Sequence, residues 1–294
     1  MRGYAGLLVV LSAIWGSSYM FIKVGLRDLA PATLVDLRLA LAAGVLIAFV
    51  AVRGRTRRLR RALVPGAFVG IVGMALPFLL ISWGETHIES GIAGVANASV
   101  PIFVALLALR FAPSERLRGL RLTGLAVGLS GVAVVSGVHP SGGAWAIVGT
   151  LAVVVASLFY AVSALYVQRR IGVGGSELAA TSTLCGAVVM LPFALARLPE
   201  HVGWKPLASV AVLGVVATGL ATLLANRLIG GHGPARAMLV NYLIPGFALL
   251  YGVAVLGEPL TIAAVLGLAL ILAGVTLASG LIVLPRRAPA TQTQ

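Results

Sequence analysis

Long apolar runs alternate along this chain with short stretches rich in arginine, glycine and proline. A run of about 20 apolar residues is what a helix needs to cross the hydrocarbon core of a bilayer. The pattern predicts ten such helices, over residues 3–22, 31–52, 62–83, 91–109, 122–138, 144–167, 178–196, 206–226, 237–256 and 260–284. The most basic loop lies between the second and third, at 53–61, and a further basic loop, 110–121, precedes the fifth. The tail 285–294 is basic, then polar, and is expected to be disordered. The first run has no small-x-small cleavage site before the next, so it is read as a retained helix rather than a signal peptide.

The runs repeat. Asn97-Ala98-Ser99-Val100-Pro101-Ile102-Phe103 and Asn241-Tyr242-Leu243-Ile244-Pro245-Gly246-Phe247 both read N-x-x-x-P-x-F and lie 144 positions apart. Downstream, Glu115, Gly124 and Gly131 match Glu258, Gly267 and Gly274 at a spacing of 143. The chain therefore reads as two copies of one five-helix unit, residues 1–140 and 141–284, followed by the tail 285–294. Two such copies in a membrane chain, broken in matching places, point to a transporter.

Composition agrees with the pattern. Of 294 residues, 60% are hydrophobic and only 10% charged, against about 25% charged in soluble domains. The fold class expected is all-α integral membrane. The net charge of +14 does not imply nucleic acid, because the arginines sit in short clusters between apolar runs, where they orient the chain and meet anionic lipid. With the N-terminus inside, 17 Lys and Arg fall on the inner side and 4 on the outer. Cytoplasmic N- and C-termini follow. Five spans per copy is an odd number, so the second copy is inverted relative to the first.

Several polar residues lie inside the predicted spans. Ser12, Trp15 and Ser18 match Ser157, Tyr160 and Ser163 of the second copy at an offset of 145, and Ser12, Trp15 and Tyr19 share one helical face. Such a face suits a cavity wall, or it serves close helix packing. Asn97 and Asn241, the latter followed by Tyr242, are sharper candidates. Pro101 and Pro245 free the carbonyls four residues earlier, so each motif presents an amide and an unpaired carbonyl together. The alternative is a kink whose asparagine bonds a neighbouring helix. Asp36 and Arg38 are ionisable residues within the second span, and coupling or structural roles both fit. Arg38 can snorkel to the outer interface, and Asp36 is expected to meet Lys23 or Arg27. The remaining acids lie in loops or at helix ends, which leaves the expected cavity neutral.

Other chemistries are disfavoured. The single Cys185 excludes an internal disulfide framework. The four histidines are scattered without metal-ligand spacing. Gly128-Leu129-Ser130-Gly131 matches the serine motif of rhomboid proteases, but no histidine sits at membrane depth to activate it. No P-loop is present. Neither an enzyme nor a cofactor or metal is expected.

Trp15-Gly16-Ser17-Ser18-Tyr19 with Lys23, then Pro31 and Leu37-Arg38-Leu39, resembles the opening of EamA-type permeases of the drug/metabolite transporter superfamily. The two blocks Pro101…Glu115…Gly124…Gly131 and Pro245…Gly257-Glu258-Pro259…Gly267…Gly274 resemble the paired EamA repeat. The resemblance implies a multi-pass carrier of the bacterial inner membrane for small metabolites such as amino acids, often an exporter. It implies a central cavity lined mainly by helices 1, 3, 4, 6, 8 and 9, and alternating access. The hinges expected are Pro101 and Pro245, with Pro77 and Pro192 as further weak points. A multidrug or organic-cation exporter is the alternative. A membrane scaffold or lipid-flippase partner is another, of a different class. The expected partners are a small-molecule substrate and membrane lipid, with no nucleic acid. The oligomeric state is open, and a monomer is compatible with the pattern.

Overall fold

Lipid supplies no partner to a backbone amide or carbonyl, so an apolar run in a bilayer folds as a helix that satisfies its own. The computed structural model describes residues 2–111, 120–137, 143–169, 175–233, 237 and 239–278, and among these every regular element is helical. In chain order the helices are α1 (Arg2–Gly25), α2 (Pro31–Val52), α3 (Thr56–Glu85), α4 (Ser90–Asn97, continuing as Val100–Phe111) and α5 (Leu120–Gly137). They continue as α6 (Gly143–Arg169), α7 (Gly175–Leu195), α8 (Trp204–His232), α9 (Val240–Leu256) and α10 (Ile262–Ala278). Among the described residues seven stretches are long and apolar enough to cross a membrane, and shorter apolar helices occupy α5, α9 and α10. The chain is an all-helical integral membrane protein. Glu115, most of the loop 110–121, the turn at 139–142 and the tail 285–294 lie outside the described residues.

Some boundaries differ from those expected. The stretch 53–61 is not all loop: α3 begins at Thr56, because arginine is a good helix former and these turns are exposed. Only a short turn remains before it, with Gly54 at φ +64. At the far end, α8 runs on to His232 and stops at Gly233, whose φ of +81 suits glycine alone.

Two helices widen at places that the pattern of apolar positions does not mark. Ile71–Ala75 in α3 and Val212–Leu220 in α8 are π-helical. At the 144 offset the first falls inside the second. π-turns inside α-helices concentrate at functional sites.

Helix contacts come in pairs when the first five helices are exchanged with the last five. α1 packs on α9, and α6 on α4. α3 packs on α7, and α8 on α2; α3 also packs on α6, and α8 on α1. α2 against α7, and α5 against α10, pair with their own counterparts.

Glycines set the last of these crossings. A Cβ at Gly131 would lie 2.9 Å from the Gly267 carbonyl oxygen, and one at Gly274 would lie 2.6 Å from that of Gly124. These four residues are the repeat-matched glycines of the sequence, and each contact is the other's mate. Small residues let the backbones meet where lipid gives helices no hydrophobic reason to associate. The same holds for the protease-like motif. Gly128 and Gly131 pack α5 on α10, and the exposed Ser130 hydroxyl donates back to the Val127 carbonyl at 2.8 Å.

One end of the bundle is tied by charged side chains. Lys23 Nζ donates to the carbonyls of Glu85 and Ile88 at 2.5 and 2.6 Å, joining α1 to the end of α3. Glu258, just past α9, accepts from Ser90 N, Ser90 Oγ and Gly91 N at 2.7, 2.9 and 3.0 Å. It thereby caps the first piece of α4 from a distance, where a carboxylate meets free amides and the positive end of the helix dipole.

Candidate functional site

A cavity of about 390 Å³ opens among α1, α3, α4, α6, α8 and α9, with Arg38 reaching into it from α2. Small-molecule sites occupy about 300–1,000 Å³. Its wall is built from repeat mates. Gly73 and Ala217, Met74 and Thr218, Phe78 and Thr222, Asn97 and Asn241, and Pro101 and Pro245 each lie 144 positions apart, and all ten residues line it. Trp15 and Tyr160 form a further pair at 145.

The two asparagines are not equivalent. Asn97 Nδ2 donates to the Tyr19 hydroxyl at 2.8 Å, and Ser157 Oγ donates to Asn97 Oδ1 at 3.1 Å. The helix breaks beside it at Ala98-Ser99, ahead of Pro101, and the Ser99 hydroxyl donates to the Ala96 carbonyl at 2.7 Å. Asn241 lies in a continuous helix with Pro245 inside it, and its amide has no hydrogen-bond partner among the described residues. The reason lies one helix away. The repeat mate of Tyr19 is Ala164, which has no hydroxyl, and the mate of Ser157 is Ser12, whose Oγ donates to the carbonyls of Leu8 and Val240. Asn97 is therefore held by protein, whereas Asn241 faces the cavity with its donors and acceptor unpaired among the described residues.

Trp15 is fixed through the π-helical stretch of α8, where its indole Nε1 donates to the Ala217 carbonyl at 3.1 Å. A π-turn shifts backbone pairing from its usual register, and Thr218 Oγ1 accordingly bonds the Leu213 carbonyl five residues back, at 2.8 Å. Both π-stretches contribute to the wall, through Gly73 and Met74 in one and Ala217 and Thr218 in the other.

Arg38 overturns the expectation of a neutral cavity. It does not reach the outer interface: it is 5% exposed and turned inward. Its Nε donates to Thr218 Oγ1 at 2.9 Å, and its guanidinium carbon lies 3.8 Å from the centre of the Phe78 ring. An aromatic face and a hydroxyl replace part of its hydration, which is why burial wins over snorkelling. Among the described residues it forms no ion pair. Asp36, two residues earlier, sits on another face of α2, away from the cavity, and makes no ion pair with Lys23 or Arg27. Lys23 is instead engaged by the backbone of Glu85 and Ile88.

Of the other sequence candidates, Trp15, Ser18, Tyr19 and Tyr160 line the cavity, but Ser163 and Tyr242 do not. Ser163 turns onto Gly73, closing the contact of α6 with α3, and Ala164 takes the wall position one residue on. Tyr242 is rotated about 100° from Asn241 and packs against the hydrophobic core, while Ile244 and Pro245 share the face of Asn241. Sequence reasoning missed the wall residues of the π-stretches, although their glycines and alanines recur at the same offset. It also missed Glu85, a carboxylate at the end of α3 that is fully buried and has no hydrogen-bond donor among the described residues.

Comparison with known proteins adds to this geometry. The sequence pattern of the EamA-like transporter family matches residues 3–137 and again 147–280. The chain is 31% identical over 280 residues to a probable terminal-alkyne amino-acid exporter of Streptantibioticus cattleyicolor, covering 92% of this chain and 91% of that one. It is 29% identical over 264 residues to YedA of Escherichia coli, named an uncharacterized inner membrane transporter, covering 87% and 84%. A probable amino-acid metabolite efflux pump of Salmonella typhimurium is 28% identical over 284 residues, covering 92% of each chain. A solved crystal structure shares the fold, with a TM-score of 0.67 over 96% of this chain and 98% of that one, at 21% identity. With the family pattern found twice over nearly its whole length and a shared cavity between the two matched segments, this chain belongs to the EamA-like transporter family and is a multi-pass transporter of the inner membrane.

Proposed function

We propose that the chain is a ten-span secondary carrier that exports amino acids or related small metabolites by alternating access, without ATP. Its two five-helix repeats, 1–140 and 141–284, stand inverted to one another, with both termini in the cytoplasm. The observation that carries this reading is the cavity wall, made of residue pairs 144 apart drawn from both halves. A site built that way presents similar surfaces to both membrane faces, and one scaffold then opens to either side. The paired helix contacts and the split of 17 to 4 basic residues support the inversion and the orientation. The names of two relatives, an amino-acid exporter and an amino-acid metabolite efflux pump, support the substrate class and the outward direction.

Movement in this account bends the chain where helices are already irregular. Pro101 follows the break at Ala98-Ser99, Pro245 lies inside α9, and the π-stretches of α3 and α8 face the same space. Asn241, Tyr160 and Ser18 supply hydrogen bonds to the substrate, and Trp15 covers its apolar part.

Counterflow in proteoliposomes tests the reading. Vesicles loaded with an unlabelled amino acid are exposed to the same compound in labelled form, over a panel of amino acids and quaternary amines. Saturable counterflow of an amino acid is expected. Its absence for every compound would contradict carrier activity and favour a scaffold. Repeating the assay with a pH gradient separates exchange, which ignores the gradient, from proton-coupled flux, which follows it.

A further inference from the structure

We propose that Arg38 is the receptor for a substrate carboxylate, and that the cavity takes small monocarboxylates with an apolar body whether or not they carry an amino group. The inference rests on the cavity being the substrate site, as proposed above.

The geometry of Arg38 is that of an anion receptor already assembled. Thr218 Oγ1 holds Nε, and the Phe78 ring covers one face of the guanidinium. The two terminal nitrogens have no hydrogen-bond partner among the described residues, and the side chain lines the cavity. A guanidinium so oriented offers the planar fork that carboxylates accept with two parallel hydrogen bonds. A buried cation without an ion-pair partner in contact is costly; Glu85 acts on Arg38 only from beyond contact, and a bound carboxylate supplies the direct partner. The binding free energy is therefore concentrated on one functional group.

The rest of the wall decides what accompanies the carboxylate. Among the described residues no Asp or Glu lines the cavity. Glu85 is buried outside the wall and forms no ion pair with Arg38. An ammonium group would meet only neutral partners such as Asn241, together with repulsion from Arg38. Trp15, Ile22, Met74 and Ile81 offer apolar surface to a substrate body. A carboxylate is thus required, an amino group is optional, and organic cations are excluded.

The test is an analogue series on the wild-type carrier, read as competition with labelled leucine counterflow. The competitors are the oxo acid of leucine, N-acetyl-leucine, leucinamide and isoamylamine. The two carboxylates lacking a free ammonium are expected to compete about as well as leucine. The amide and the amine are expected to be weaker by about 30-fold or more, as for loss of one partner of a buried charged pair. Equal competition by the amide or amine, or failure of both other acids, would overturn the inference. Saturable flux of tetraethylammonium without flux of leucine would overturn it while leaving the carrier reading intact. No flux of any probe would contradict both. Arg38→Gln is expected to lose leucine affinity by a similar factor, with Arg38→Lys intermediate because it keeps the charge but loses the fork. Normal affinity in a folded Arg38→Gln carrier would overturn the proposal, and the analogue series decides the matter if that variant does not fold.

Discussion

Asn97 donates its side-chain amide to the Tyr19 hydroxyl at 2.8 Å, and its repeat mate Asn241 makes no such bond among the described residues. The two copies have thus diverged at their most alike motif: one asparagine joins α4 to α1 and α6, and the other opens onto the cavity. Replacing them has different consequences. Asn97→Ala strands the Tyr19 hydroxyl, which belongs to a residue only 5% exposed, and leaves the buried Ser157 hydroxyl with the Val153 carbonyl at 3.2 Å; it is expected to cost about 1–3 kcal/mol of stability. Asn241→Ala is expected to leave the melting temperature unchanged and to weaken substrate binding by about 2- to 12-fold, the worth of one neutral hydrogen bond. Thermal unfolding in detergent and counterflow KM separate the two. Equal loss of stability in both variants would show that Asn241 is also structural.

The α5–α10 crossing makes a packing prediction. A side chain at Gly131 meets the backbone of α10 at Ile271 N, 2.8 Å away, and at Gly267 O, 2.9 Å away. Backbone cannot swing aside as a side chain can. Gly131→Ala is expected to destabilise by about 1–3 kcal/mol, and larger residues by more. Gly44, in α2, has no atom within 4 Å of its would-be Cβ. Gly44→Ala is the control, and its melting temperature is expected to equal or exceed that of the wild type.

Glu258 is expected to matter beyond its loop. Its carboxylate accepts three hydrogen bonds from Ser90 and Gly91. Glu258→Ala leaves the first turn of α4 uncapped, at a cost of about 2 kcal/mol or more. Glu258→Gln keeps the shape but loses the charge, so an intermediate melting temperature is expected.

Lys23 and Glu85 are expected to give unequal effects. The ammonium of Lys23 spends two hydrogen bonds on backbone carbonyls, whereas the Glu85 carboxylate is buried without a donor among the described residues. Lys23→Met removes the link from α1 to α3 and is expected to lower the melting temperature. Glu85→Gln removes a buried carboxylate that accepts no hydrogen bond among the described residues, but with it the charge that acts on nearby Lys23, and is expected to change the melting temperature less than Lys23→Met. A large loss in Glu85→Gln would mean that the carboxylate has a structural partner.

The helical class, the repeat and the Asn-Pro motifs were legible in the sequence because each rests on local information: run length, offset and the chemistry of proline. The facing of Arg38 was partly legible. Asp36 and Arg38 stand two apart on a helix, so they point in different directions, but run length alone does not say which one faces inward. The π-stretches were not legible, since a π-turn depends on what packs against it. The inequality of Asn97 and Asn241 depends on Tyr19 and Ala164, residues far away in the chain that only the fold brings near. Ser163 and Tyr242 were misplaced by one helical step, the error expected when a face is assigned from spacing without knowing the neighbouring helix.

The central claim is that one cavity between the two halves opens alternately to each side. It is tested by side-specific labelling of a cysteine at Thr222, which lines the wall, with the native Cys185 replaced by alanine. Thr222→Cys is introduced into vesicles of known orientation and exposed to a membrane-impermeant thiol reagent from one side at a time. Labelling from both sides is expected, slowed on each by a transported carboxylate. Labelling from one side only, whatever substrate is present, would contradict it.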